Sequence, residues 1–76
     1  MFQYRPIKQM LFSTELGDYC SYGIRAFSVT QSGSVAVQFV PDVSCDEAFV
    51  SLLAEKCTRQ QLDPVQLLDV ILDALP

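Results

Sequence analysis

Two helix-start signals near the C-terminal end constrain this chain more than any other feature. Ser44, with Glu47 three residues later, forms an S-x-x-E capping box, in which a hydroxyl and a carboxylate satisfy free backbone N–H groups. Asp46 and Glu47 also place negative charge in the first turn, where the helix dipole favours it. Asp63-Pro64 gives the same signal in another form, an N-cap aspartate with proline at the first helical position. The spacing predicts helices over about 45–60 and 64–75, joined by a turn near Gln60-Gln61-Leu62.

The two helices differ in how much apolar surface they carry. In the first, Phe49, Val50, Leu53 and Cys57 form one stripe, with Glu47, Ser51, Glu55, Thr58 and Arg59 opposite. In the second, Leu68, Ile71, Leu72 and Leu75 read as the core stripe, with Val65 beside it. Leu67, Val70 and Ala74 extend the apolar surface round the other flank, and only Gln66, Asp69 and Asp73 are polar. An ordinary surface helix shows an apolar stripe of about 100°, and this one covers roughly twice that. Either the helix is wedged between a sheet and the first helix, or Leu67, Val70 and Ala74 stay exposed as an interface rimmed by Asp69, Asp73 and Gln66.

Before residue 42 the periodicity is that of strands. Phe2, Tyr4, Met10 and Phe12 share one parity in a strand over about 2–12, and Pro6 places that strand at a sheet edge. A loop over 13–18 precedes a second strand at about 19–30, with Cys20, Tyr22, Ile24 and Ala26 on one face and Ser21, Gly23 and Arg25 on the other. Gln31-Ser32-Gly33-Ser34 is a turn. Val35, Val37 and Phe39 define a third strand at about 34–40, with Ala36, Gln38 and Val40 on its second face. The expected fold is therefore α+β: a three-stranded antiparallel meander followed by two helices packed on one face, βββαα, in a single domain of residues 1–76. The third strand, as a second edge, is open to pairing with another chain.

Charge divides the chain at the same place. Three basic residues face two acidic ones before residue 42, and two basic face seven acidic from there on. Nucleic-acid binding needs a basic stripe to displace counterions from phosphate, and no such stripe is visible here, so no nucleic-acid partner is expected. The odd count of three cysteines argues against a disulfide framework and for a reducing compartment. The first ten residues show no apolar signal-peptide core, and no apolar run approaches the roughly 18 residues that span a bilayer. The expected location is the cytoplasm, with no membrane partner.

Little in the sequence points to catalysis. With no histidine, Ser-His-Asp and Cys-His machinery cannot be assembled within one chain. Asp69 and Asp73 are i,i+4 neighbours and read as the solvated side of a helix. Cys45 and Cys57, if on one straight helix, lie roughly 18 Å apart along its axis and cannot share a metal. No glycine-rich phosphate loop opens a helix. No enzyme, metal or cofactor is expected. Cys45 is the candidate reactive thiol, because the first turn of a helix can lower a thiol pKa, although Asp46 and Glu47 oppose this. Cys20 and Cys57 read as core.

Four segments together carry a family resemblance: Leu16-Gly17-Asp18-Tyr19, Ser21-Tyr22-Gly23-Ile24, Pro41-Asp42-Val43-Ser44 and Leu62-Asp63-Pro64-Val65-Gln66-Leu67-Leu68-Asp69-Val70. The chain resembles a family of short uncharacterised proteins of Clostridia-type Firmicutes, a domain of unknown function, over nearly its whole length. The L-x-P-x-x-L-x-D-V stretch is the most specific piece. The resemblance implies a bacterial cytosolic protein and supplies no activity. The residues themselves favour a small non-enzymatic interaction or regulatory module, with an unknown protein partner or self-association as a homodimer. The alternative is a thiol-based sensor or small-ligand binder centred on Cys45.

Overall fold

In the computed structural model, which describes residues 1–75, three strands lead into two helices. The strands are β1 (Phe2–Ser13), β2 (Gly17–Thr30) and β3 (Gly33–Ser44), in sheet order β1-β2-β3. Both pairs are antiparallel, so the chain forms a meander. Helix α1 spans Glu47–Arg59, a single 3₁₀ turn spans Pro64–Gln66, and helix α2 spans Leu67–Ala74. The expected α+β meander with two helices is the fold of this protein.

The β1–β2 register is unbroken from Phe2↔Ser28 to Ser13↔Gly17. Backbone groups of β1 therefore alternate strictly between facing β2 and facing outward. Pro6 falls on an outward position, where its missing N–H leaves no gap in the ladder. The β2–β3 register shifts twice, between Ala26 and Phe27 and between Tyr22 and Ile24, and in each case the extra residues are on β3. These bulges change which β3 side chains reach the core. Phe39 lies opposite Arg25 on the open face, Val40 and Val43 pack inward, and Val35 and Val37 stay exposed. The simple alternation expected for this strand does not survive them.

The core lies between one face of the sheet and the helices. Tyr4, Ile24 and Ala26 come from the sheet, Val50, Leu53, Ala54 and Cys57 from α1, and Leu67 and Ile71 from α2. Burying an aliphatic side chain of this size contributes about 1.5–3 kcal/mol. The molecule is 44 Å long, whereas a 13-residue helix such as α1 reaches only about 20 Å. The hairpin ends project past the helical layer, which is why Met10, Phe12 and Leu16 are exposed although Met10 and Phe12 share the parity of Tyr4.

The start of α1 differs from the expected capping box. Asp46 is the N-cap, accepting from Phe49 N at 3.2 Å. Ser44 Oγ accepts from Asp46 N at 3.0 Å, which shapes the approach to the helix. The second start is as expected in kind, with the Asp63 carboxylate accepting from Val65 N and proline in the first turn, but the turn it opens is 3₁₀.

Candidate functional site

The helical end is set by α2, and its burial differs from the sequence-based reading. Leu67 and Ile71 are fully buried, and Val70 and Leu75 pack against them. Leu68 is 51% exposed, Leu72 59% and Val65 83%. The core stripe is therefore the Leu67–Ile71 side. Leu67, placed by the sequence on the second flank, is spent on the protein's own core, and Val70 is half covered. Leu68, Leu72 and Val65, expected inside, are the side chains left in water. Neither expected alternative holds as stated: one flank is buried, and the uncovered flank is the opposite one.

Leu68 and Leu72, four apart on α2, lie on one side of the helix, and Val65 is exposed in the 3₁₀ turn that leads into it, so an apolar strip is left in water at this end of the molecule. Asp69 and Asp73 are exposed one step further round, with Gln66 beside them. Ala74, at the last turn, is also exposed. The result is an apolar strip with an acidic margin on a short, firmly anchored helix.

Cys45 is exposed and precedes the Asp46 N-cap, so it lies outside the helix rather than in its first turn. Cys57 is buried in the core, where burial pushes its thiol pKa up. Cys20 is half-buried rather than fully internal. Among the described residues there is no enclosed pocket, and no group of histidine, cysteine or acidic side chains is placed to hold a metal ion. Among the same residues no helix is long and apolar enough to cross a membrane.

The sheet's open face carries a cluster that the sequence reading missed. Arg5 and Arg25 are directly opposite each other across β1 and β2, on the side away from the core. The Arg25 guanidinium lies over the Phe39 ring, 4.7 Å from its centroid, and that of Arg5 lies 5.9 Å from the centroid of Phe27. Arg5 also donates from Nη2 to Gln3 Oε1 at 3.2 Å. Parity in β2 already places Arg25 and Phe27 on one face, but only the register brings Arg5 and Phe39 to them.

At the other end of this face stands Asp42, whose φ of +50° is unusual for a residue other than glycine. Its carboxylate accepts from Ser21 Oγ at 2.6 Å and from the Tyr19 hydroxyl at 3.1 Å, and its N–H donates to Gln9 Oε1 at 2.8 Å. The hydrogen bond to Asp42 raises the Tyr19 phenol above its ordinary value. Ser21, expected on a wet face, is fully buried beneath this bulge.

The family described as Family of unknown function (DUF6514) matches residues 1–76. No curated protein and no solved structure matches the chain. A match over the whole length settles the family, and the chain belongs to this family of unknown function, DUF6514.

Proposed function

We propose that this chain is a small, non-enzymatic protein-interaction or regulatory module of the bacterial cytoplasm, and that it makes contact through the exposed side of α2. The observation that carries this reading is the strip Val65–Leu68–Leu72 with Asp69 and Asp73 along its margin. A chain of this length has little apolar surface to spare from its core, yet three large aliphatic side chains of α2 and the 3₁₀ turn before it are left in water. Contiguous exposed apolar surface on a small domain usually marks an interface. In a two-fold homodimer through this strip, Asp69 and Asp73 would meet their own copies. A different protein, offering an apolar patch beside basic residues, fits better.

The test compares the wild type with Leu68→Glu/Leu72→Glu, by light scattering and by cross-linked capture from cells that express the chain. Exposed positions tolerate substitution within about 0.5 kcal/mol, so the variant should melt within a few degrees of the wild type and lose the partner. A wild type that is strictly monomeric and captures the same proteins as the variant would overturn the reading.

A further inference from the structure

The open face of the sheet is a second surface, on the opposite side of the molecule from the helices. We infer that the cluster Arg5, Arg25, Phe27 and Phe39 is a docking site for an acidic segment of a partner protein. Like charges directly opposite in a sheet destabilise it, and the two guanidinium–ring contacts only offset that repulsion, so this register adds little to the stability of the fold. Among the described residues neither guanidinium meets a carboxylate: Arg5 is held by Gln3 and the Phe27 ring, and Arg25 by the Phe39 ring. A guanidinium has five N–H donors, of which Arg5 spends one on Gln3, and the planar fork that is left matches a carboxylate in bidentate fashion. Contact with the rings also restrains the long side chains, so less freedom is lost when an anion arrives. The face is thus a pair of oriented, unneutralised cations on an aromatic floor.

The choice of occupant follows from what surrounds the cluster. A nucleic acid would need the ring faces for base stacking, and guanidinium groups already lie over them. A polyphosphate strand would also run from two cations into a chain of net charge −4. A second copy of the chain is disfavoured by topology. The Asp42 carboxylate on this face is already engaged by Ser21 Oγ and the Tyr19 hydroxyl, and the six acidic residues that follow it belong to the helices and their caps, across the sheet from the arginines, so a contact through them would be head-to-tail and would build open stacks. An acidic peptide segment needs only one or two carboxylates at the arginine pair. It can set apolar side chains on Ile7 and Val37, both partly exposed beside the cluster.

The experiment measures fluorescence anisotropy of a labelled peptide of alternating glutamate and leucine, with a glutamine–leucine peptide and a single-stranded oligouridylate as comparison probes. The wild type should bind the acidic peptide at least about tenfold more tightly than the neutral one, because hydrogen bonds to a charged acceptor are stronger than those to a neutral amide. Arg5→Ser/Arg25→Ser should abolish that preference. Arg5→Lys/Arg25→Lys should keep only part of it, because an ammonium carries charge without the fork. The serine variant should stay folded and melt within a few degrees of the wild type, because relief of the like-charge pair offsets the loss of the two guanidinium–ring contacts. Loss of the preference in a variant that keeps its fold separates a binding role from a structural one. Equal binding of acidic and neutral peptides, tighter binding of the oligouridylate, or an unchanged preference in the serine variant would each overturn the inference.

Discussion

Gly23 shows how one residue shapes both the bulge and the open face. A Cβ built there would lie 2.6 Å from the Val40 carbonyl oxygen, 2.9 Å from Phe39 Cε1 and 3.1 Å from Gln9 Oε1. The first contact is with backbone, which cannot turn aside. Only glycine lets β3 come this close as it enters the bulge at Pro41 and Asp42. Gly23→Ala should therefore destabilise the protein by about 1–3 kcal/mol, in the range of overpacked cores. The change should appear as a lower urea midpoint with an unchanged slope. Because the added methyl presses on the ring beneath Arg25, the variant should also weaken the acidic-peptide preference described above. Gly17→Ala is the control, since nothing lies within 4 Å of its Cβ and only its φ of +71° resists the substitution. That cost is about 1–2 kcal/mol. A Gly23→Ala variant as stable as the wild type would mean that β3 can slide away from β2 at this point.

At the scale of elements, the outer edge of β1 is closed by the end of α1 rather than by another strand. Thr58 Oγ1 accepts from Tyr4 N at 2.9 Å and faces the Tyr4 carbonyl at 3.3 Å. The Gln61 carboxamide accepts from Phe2 N at 2.8 Å and donates to Phe2 O at 2.9 Å, as a strand peptide group would. Gln61 also ends α1 with φ +50°, where helices usually place glycine. The closing bonds Leu62 N→Cys57 O and Gln61 N→Thr58 O are those of a Schellman motif. The side chain explains why glycine is absent: it caps the sheet edge. Thr58→Val should cost about 1–3 kcal/mol, because it leaves the Tyr4 N–H without a partner at nearly constant volume. Gln61→Gly should be close to neutral, since relief of the left-handed backbone offsets the lost bonds, while amide exchange at Phe2 accelerates. Equal costs for the two variants would mean that the edge is not held in this way. None of this was legible in the sequence, because it depends on contacts between residues far apart in the chain. What was legible rested on local signals: the Asp63-Pro64 start, the Gln31–Ser34 turn, the strand parity around Ile24 and Ala26, and the α1 stripe. The α2 face was misread because Leu67, Leu68, Ile71 and Leu72 are all apolar. Periodicity cannot rank two overlapping stripes, and the 3₁₀ turn over Pro64–Gln66 alters the phase at which the chain enters the helix.

For the molecule as a whole, Tyr4 ties the layers together. Its ring is part of the core, its backbone is held by α1, and its hydroxyl donates to the Leu62 carbonyl in the connection between the helices. The side chain is only 4% exposed. Burial, reinforced by the negative charge that Cys57 and Asp63 can bring near, pushes the phenol from its ordinary 10.0 up to about 12. The folded state therefore favours the neutral phenol more strongly than the unfolded state does. Its contribution is fully present below pH 10 and is lost as the pH rises through about 12. Unfolding free energy should accordingly fall with increasing pH above about 10, as the unfolded chain releases the Tyr4 proton before the folded one. Tyr4→Phe should make the protein less stable near neutrality by about 1 kcal/mol, the typical net worth of one such hydrogen bond. The same variant should show a shallower decline between pH 10 and 12, with the remaining slope belonging to the other phenols and thiols. Urea midpoints across that range, with phenolate absorbance of the native protein followed in parallel, would check both effects. A Tyr4→Phe variant whose stability falls as steeply as the wild type's would show that the Tyr4 phenol ionises in the folded protein as easily as in the unfolded chain, and that the tie between sheet and helices does not depend on its proton.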